Sequence, residues 1–160
     1  EFRRVLFRST LVHELVNLHQ PLASDKKNII KNEVPQDFYC VQEPLIIKII
    51  LHNLLLNANK FTSNGIITIT AQSINDTLNL SVKDTGVGMD NTIVEELNNL
   101  KTVSSQKGTA NETGWGLGYR FIIDLLKFVH GKFSIQSARG KGTTVTIDID
   151  LKNIVESEEI

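Results

Sequence analysis

A single cysteine, Cys40, excludes any disulfide bond within this chain of 160 residues and fits a reducing compartment. The formal net charge is −1, so no overall field attracts nucleic acid or an anionic membrane. No apolar run approaches the roughly 20 residues that a membrane-spanning helix needs. We therefore expect no nucleic-acid partner and no direct membrane contact from this chain.

Three common site motifs are absent as well. No G-x-x-x-x-G-K-[ST] sequence occurs, so this is not a P-loop protein. The glycine run at 114–118 lacks the G-x-G-x-x-G spacing of a dinucleotide-binding fold. The histidines lack the spacing of zinc ligands; they are His13, His19, His52 and His130.

The overall composition is that of a soluble globular domain, with 41% apolar and 22% charged residues. The length suits one domain with a core of its own. We assign residues 9–152 to this domain. Residues 1–8, which hold three of the five arginines, are interpreted as added sequence or as the end of an upstream element. Residues 153–160 are interpreted as an acidic tail or linker.

Hydrophobic periodicity and turn residues predict helices at 10–23, 44–61, 90–100 and 117–130. They predict strands at 28–34, 37–41, 67–71, 78–82, 132–137 and 143–151. Helices and hairpins are mixed without regular β-α-β alternation. The fold class is therefore α+β: a two-layer sandwich with a mostly antiparallel mixed sheet and helices on one face. In the first helix the expected apolar stripe is Leu11, Leu15, Leu18 and Leu22.

The helix at 44–61 carries one stripe that changes character along its length. Spacings of four, three, four and three place Ile46, Ile50, Asn53, Asn57 and Lys60 on this stripe. Two amides and an amine in its second half indicate an inward-facing polar site. Alternatively the stripe is solvated, and the core face consists of Ile47, Leu51, Leu54, Leu55 and Ala58. The outer face, with Lys48, His52 and Asn59, is expected to be solvated.

Asp84-Thr85-Gly86-Val87-Gly88 follows a predicted strand. Asp84 continues the alternation of the core side chains before it, so its carboxylate is expected to point inward. A buried carboxylate needs a hydrogen-bond donor, and an adenine amino group is a suitable one. Gly86 and Gly88 allow a sharp turn and close approach of a ligand. A plain turn explains this segment equally well when it is taken alone.

A second glycine run, Gly114-Trp115-Gly116-Leu117-Gly118, leads into a predicted helix. Backbone N–H groups at a helix start bind phosphate readily. A flexible hinge is the alternative. Gly140-Lys141-Gly142-Thr143-Thr144 taken alone predicts only a hairpin turn.

Together, in this order, the four segments resemble the nucleotide-binding boxes of sensor histidine kinases. Asn53-Leu-Leu-Leu-Asn57-Ala58-Asn59-Lys60-Phe61-Thr62 resembles their N box. The runs at 84–88, 114–118 and 140–143 are similar to their glycine boxes. The resemblance covers about residues 11–151. It implies the Bergerat ATP-binding fold, which gyrase, Hsp90 and the mismatch-repair ATPase MutL share.

The resemblance also implies a role for each matching residue. Asn57 would ligate Mg²⁺ bound to the ATP phosphates, and Asn53 and Lys60 would contact the phosphates or the metal's shell. Asp84 would accept a hydrogen bond from the adenine amino group, with Gly86 and Gly88 beside the base. The other implied nucleotide-binding residues are Gly114, Gly116, Leu117 and Gly118 near the phosphates, and Thr143 near the adenine. Residues 101–113 would form a lid over the nucleotide.

One position separates kinases from hydrolases within this fold. Gyrase, Hsp90 and MutL carry a glutamate four residues before the metal-binding asparagine, and this glutamate activates water. Here the position is Asn53, and an amide cannot act as a base at neutral pH. The resemblance therefore implies transfer of the γ-phosphate to a histidine on a separate dimerisation domain, with a response regulator downstream. The alternative is a degenerate nucleotide-binding or docking module that transfers no phosphate.

Three positions depart from the family pattern. Tyr119 replaces the usual leucine after the second glycine box, Leu97 and Leu100 stand where an aromatic-containing box is usual, and His130-Gly131 lacks the second glycine. His13-Glu14-Leu15 begins like a phosphoacceptor box, but no Arg-Thr-Pro follows. We therefore expect that the chain does not phosphorylate itself. We expect a cytoplasmic domain, compatible with a parent protein anchored in the bacterial inner membrane.

Overall fold

A computed structural model describes residues 6–41, 44–99 and 116–151. Within these ranges the helices are α1 (Ser9–Asp25), α2 (Pro44–Phe61), α3 (Asn91–Asn99) and α4 (Gly116–Phe128). The strands are β1 (Leu6–Arg8), β2 (Ile29–Asn32), β3 (Tyr39–Val41), β4 (Ile66–Ile74), β5 (Thr77–Asp84), β6 (Gly131–Ala138) and β7 (Gly142–Asp150). No described helix is both long and apolar enough to cross a membrane.

Five strands form one mixed sheet in the order β2-β4-β5-β7-β6. The pair β2–β4 is parallel, and the other three pairs are antiparallel. The predicted α+β sandwich is therefore confirmed. The segments on either side of Pro35 do not pair with each other, because β2 joins the main sheet whereas β3 pairs with β1 in a separate two-stranded sheet.

The hairpin of β4 and β5 shows how the sequence specifies the sheet. Its turn residues Asn75 and Asp76 have φ angles of 50° and 58°, a conformation that suits a tight turn between twisted strands. Ile67 and Ile69 are buried, whereas Thr68 between them is only partly covered. One face of the sheet therefore belongs to the core, and α2 packs on it through contacts with β4 and β5.

The opposite face of the sheet is mostly polar, and its described residues are half-buried to exposed. It holds a shallow groove of about 360 Å³. Its lining includes Lys31, Thr68, Lys83 and Thr144, which follow one another across four strands in register. The predicted arrangement, with helices on one face only, accounts for this alternation.

The predicted stripe of α1 was wrong in half of its members. The buried residues are Val12, Leu15, His19 and Ala23. Leu18 is 61% exposed and Leu22 is 49% exposed. Spacings of three and four fit two adjacent stripes on a helix, and the position of α2 decides which stripe is covered.

The core face of α2 consists of Ile47, Ile50, Leu51, Leu54, Leu55 and Ala58. The sequence alternative for the core face is thus confirmed, with Ile50 added from the mixed stripe. In α4 the buried residues are Tyr119, Ile122, Ile123 and Leu126, and Val129 directly after the helix is buried as well. Phe121 is 48% exposed, so Ile122 is the core residue of this neighbouring pair.

Candidate nucleotide-binding site

Asp84, the last residue of β5, is the buried carboxylate of the site. Its side chain is 6% exposed, as the strand alternation predicted. Its Oδ1 atom accepts hydrogen bonds from the N–H of Gly86 at 2.8 Å and from the N–H of Thr143 at 3.3 Å. Burial raises the pKa of Asp84, although these two N–H groups and the Thr62 hydroxyl act in the opposite direction. The Asp84 carboxylate is therefore held in place by hydrogen-bond donors on Oδ1, and it remains an acceptor for a further hydrogen bond.

The two glycines after Asp84 are fixed by contacts within the chain. A Cβ atom at Gly86 would collide with the carbonyl oxygen of Phe61 at the end of α2. Gly88 has a φ angle of +67°, and a Cβ atom there would collide with the carbonyl oxygen of Ala138. Close approach of the chain to itself is thus enough to require glycine at both positions. Their predicted place beside the base stays a prediction.

Thr143 is paired with Asp84 across β5 and β7 and is 5% exposed. Its hydroxyl lies 2.8 Å from the Ser137 hydroxyl. Ser137 Oγ donates to the carbonyl oxygen of Gly142 at 2.9 Å and accepts from the N–H of Met89 at 2.8 Å. Since the single proton of Ser137 is directed to Gly142, Thr143 donates to Ser137 and keeps free lone pairs. No pattern in the sequence indicates Ser137.

The polar half of the α2 stripe lies at the border between core and solvent. Asn53 is half-buried, and its Nδ2 donates to the carbonyl oxygen of Ile49 at 2.8 Å. Asn57 is half-buried as well, but its Nδ2 atom is buried without a partner among the described residues. Lys60 is exposed, with Nζ 5.1 Å from the centre of the Phe61 ring. The stripe is therefore neither core nor simply solvated.

Asn57 faces the first turn of α4. A Cβ atom at Gly118 would lie 3.2 Å from Asn57 Nδ2 and 3.4 Å from Asn57 Oδ1, so a side chain there would crowd the amide. Gly116 begins α4, and the backbone N–H groups of a first helical turn have no partner within the helix, which suits phosphate. The predicted contacts of Gly116 and Leu117 with the phosphates stay predictions, since the side chain of Leu117 lies outside the described part of the chain. Gly114 and the predicted lid at 101–113 lie outside the described residues.

Tyr119 follows directly and fills the position where the family usually has leucine. It is 3% exposed, and its ring centre lies 5.7 Å from that of Phe133. Burial, and then the negative charge of Asp84, raise the pKa of the Tyr119 phenol. Tyr119 is thus a neutral core residue close to the carboxylate. Leu97, one of the two residues in place of the aromatic box, is also buried, and Leu100 lies outside the described residues.

The outer face of α2 is solvated at Lys48 but not at His52 and Asn59, so the prediction was wrong for two of its three residues. Asn59 accepts from Asn28 Nδ2 at 2.8 Å and donates to the carbonyl oxygen of Leu22 at 3.1 Å. His52 is half-buried, and its Nδ1 lies 2.9 Å from His19 Nε2. The reason is that α1 packs against this face of α2, which a helical pattern alone does not reveal.

Comparison with known proteins agrees with this geometry. A family model described as "Histidine kinase-, DNA gyrase B-, and HSP90-like ATPase" matches residues 42–153. The chain belongs to this family. The predicted resemblance to the ATP-binding catalytic domains of sensor histidine kinases is thereby confirmed, and the domain binds ATP.

The chain is similar to two sensor proteins and to one solved structure. The autoinducer 2 sensor kinase/phosphatase LuxQ of Vibrio vulnificus is 29% identical over 154 residues, which are 91% of this chain and 18% of LuxQ. The sensor protein EvgS of Escherichia coli is 30% identical over 150 residues, which are 89% of this chain and 12% of EvgS. The catalytic domain of the histidine kinase ThkA has the same fold, with a TM-score of 0.75 at 22% identity over 92% of this chain and 95% of that domain. The chain thus spans less than a fifth of the length of LuxQ or EvgS.

Proposed function

We propose that this domain transfers the γ-phosphate of ATP to a histidine on a separate dimerisation domain of its parent protein, with a response regulator as the downstream partner. The observation that carries the proposal is the pair of asparagines on α2. Asn57 offers a buried amide nitrogen, Nδ2, that has no described partner. Asn53 occupies the position from which a carboxylate would activate water. LuxQ and EvgS are both sensor proteins, and LuxQ is named as a kinase, which supports the same assignment.

Asp84 and Asn57 mark the two ends of the proposed nucleotide site. Asp84 is a buried acceptor that suits the amino group of adenine. Asn57 suits Mg²⁺ through its amide oxygen, because the Gly118 backbone leaves room beside the amide, and its buried Nδ2, which has no described partner, would donate to a phosphate oxygen. Mg²⁺ bound there would neutralise charge on the β- and γ-phosphates. Lys60 and the N–H groups at the start of α4 would contact the phosphates.

In this reaction the chain positions the phosphates rather than supplying a nucleophile. The acceptor imidazole nitrogen forms a bond to the γ-phosphorus as the bond from phosphorus to the β,γ-bridging oxygen breaks, which releases ADP. The imidazole proton passes to solvent or to a base on the partner. The Nδ2 of Asn53 already donates a hydrogen bond to the carbonyl oxygen of Ile49, and an amide cannot act as a base at neutral pH. This side chain therefore orients ligands and takes no proton.

The exposed side of α4 carries an apolar stripe that suits a helical partner. Phe121 and Phe128 are 48% and 76% exposed, and half-buried Leu125 lies between them at helical spacing. This apolar stripe belongs to the helix whose first turn meets Asn57, so a partner docked on it brings an acceptor close to the phosphate end. His13, by contrast, lies exposed on α1, which packs against a different face of α2.

Labelled ATP tests this proposal. The chain incubated with γ-labelled ATP and Mg²⁺ should remain unlabelled, whereas the phosphoacceptor hairpin of the parent, added in trans, should acquire acid-labile phosphate. The control is the same hairpin with its acceptor histidine replaced by glutamine, which should stay unlabelled. Label on His13 that His13→Gln removes would contradict the proposal. Tight binding of Mg-ATP without label on the hairpin would favour the alternative of a non-catalytic nucleotide-binding module.

A further inference from the structure

Thr62 is a buried polar residue that the nucleotide boxes leave without a role. It directly follows the last residue of α2 and is 1% exposed. Its Oγ1 atom is buried and has no hydrogen-bond partner within the ranges that the structure describes. An unpaired buried hydroxyl is costly, so it requires an explanation.

The Thr62 hydroxyl and the Asp84 carboxylate face the same small space beside Gly86. A Cβ atom at Gly86 would lie 2.7 Å from Thr62 Oγ1 and 2.9 Å from Asp84 Oδ1. Only a glycine leaves this space open. The hydroxyl lies close enough to lower the pKa of Asp84, although the two groups do not reach full hydrogen-bond geometry.

The backbone of Thr62 is held from the other side by Asn28, which is 3% exposed. Asn28 Nδ2 donates to the carbonyl oxygen of Thr62 at 2.8 Å, and Asn28 Oδ1 accepts from the N–H of Gly65 at 3.0 Å. The neighbouring carbonyl oxygen of Phe61 accepts from the N–H of Val87 at 3.1 Å. The turn that carries Thr62 is therefore tied both to β2 and to the segment after Asp84.

We propose that Thr62 is a positioning residue that orients Asp84 toward the adenine ring. Its hydroxyl joins the two backbone N–H groups in holding Oδ1, so that Oδ2 faces the exocyclic amino group of the base. Both backbone hydrogen bonds to the carboxylate go to Oδ1, which leaves Oδ2 for the ligand. The inference rests on the proposed function, in which Asp84 is the acceptor for adenine.

The role predicts a pH signature. Asp84 binds the amino group best when it is ionised, and a donor on Oδ1 favours the ionised form. Among the described residues, Tyr119 from α4 is the ionisable group whose pKa responds to Asp84, and this raised pKa keeps it neutral, whereas Lys83 points to the opposite face of β5. Removing the Thr62 hydroxyl should therefore raise the pH at which adenine preference is lost.

The test compares Thr62→Val, which keeps the shape, with Thr62→Ser, which keeps the hydroxyl. Calorimetric titrations with ATP and with GTP, at several pH values between about 4 and about 8, give the ratio of the ATP and GTP affinities, in which titration of the phosphates largely cancels. We expect Thr62→Val to lose about tenfold in ATP preference and to shift the acid limb to higher pH. Thr62→Ser should restore both. Should Thr62→Val fail to fold, Thr62→Ala serves in its place.

Asp84→Asn separates the two levels of the inference. If Asp84→Asn lowers the ATP preference while Thr62→Val leaves the ratio and its pH profile unchanged, the role of Thr62 is wrong and the adenine site stands. If neither variant changes the ratio, the assignment of Asp84 in the proposed function is wrong as well. A loss in Thr62→Val that Thr62→Ser does not restore would show a packing role and would overturn the inference.

Discussion

The two ends of the nucleotide site differ in how completely their polar atoms are bonded. At the base end, Asp84 and Thr143 are 6% and 5% exposed, and each has hydrogen-bond partners. At the phosphate end, Asn57 has a buried nitrogen without a described partner, and Lys60 is exposed. In the proposed site, Asp84 and Thr143 at the base end are therefore held by the chain itself, although the neighbouring Thr62 Oγ1 has no described partner, whereas Asn57 Nδ2 at the phosphate end would take its partner from the ligand.

The difference follows from the elements that build each end. Asp84 and Thr143 are partners in adjacent antiparallel strands, whose backbone hydrogen bonds fix their separation. Asn57 and Gly118 lie on α2 and α4, two helices that contact each other without a backbone hydrogen bond between described residues. A contact between helices can adjust to a bound phosphate at lower cost than a strand pair can.

The largest expected effect is at the phosphate end. Asn57→Ala removes the proposed ligand of Mg²⁺ and should lower the affinity for Mg-ATP on the order of 100-fold, as measured by calorimetric titration. Folding stability should not fall, because the buried nitrogen that is lost has no described partner. The binding of ATP in EDTA, which depends on the base end, should change little.

That control decides whether the two ends are separable. Equal loss with and without Mg²⁺ would mean that Asn57 supports the whole site rather than the metal. Unchanged affinity for Mg-ATP in a folded variant would contradict the assignment of Asn57.

A smaller effect is expected at the base end. Asp84→Asn keeps the shape but turns one acceptor atom into a donor, which then faces the adenine amino group. We expect a loss of ~1–3 kcal/mol in nucleotide binding, with or without Mg²⁺, and a lower preference for ATP over GTP. Calorimetric titration with both nucleotides measures the two effects. A variant with the wild-type preference for ATP would show that Asp84 does not recognise the base.

Strands and helices that depend on local periodicity could be predicted from the sequence. The α2 helix begins at Pro44 and ends at Phe61, as predicted, because proline suits a first turn and Asn64-Gly65 prevents continuation. The inward direction of Asp84 could be predicted for the same reason, since side chains alternate along a strand. These features need no knowledge of distant partners.

Residues whose role depends on a distant partner could not be predicted. Asn28 bonds to Asn59 and Thr62, more than 30 positions away, and nothing in the local pattern of β2 or α2 indicates it. Leu18 of α1 is exposed against the prediction, and the burial of His19 was not predicted, for a similar reason. Hydrophobic residues outnumber the places that one helix face can bury, and the contact with α2 selects among them.

The smallest expected effect concerns this α1–α2 contact, which supports the helix of the phosphate end and not the strands of the base end. His19 is 2% exposed, and its Nε2 lies 2.9 Å from His52 Nδ1, while its Nδ1 has no described partner. Burial, and then the charge of His52, lower the pKa of His19 from its ordinary value of 6.5. Protonation of both rings would set the Nε2–H of His19 against the Nδ1–H of His52, because each ring nitrogen would then be a donor.

Acid should therefore weaken the fold through His19. Because its pKa is lower in the folded chain, the unfolded chain binds the proton more readily, and the stabilisation present above pH 6.5 is lost as pH falls toward the folded pKa.

Chemical denaturation at several pH values, with His19→Leu compared with wild type, isolates this contribution from other titrating groups. The free energy of unfolding of His19→Leu should decline less below pH 6.5. His13→Leu, which changes an exposed histidine of the same helix, should decline as wild type does. If the free energies of unfolding of His19→Leu and wild type decline in parallel, the histidine pair does not couple folding to proton binding. Acid then does not weaken the helix that carries Asn57 through this contact.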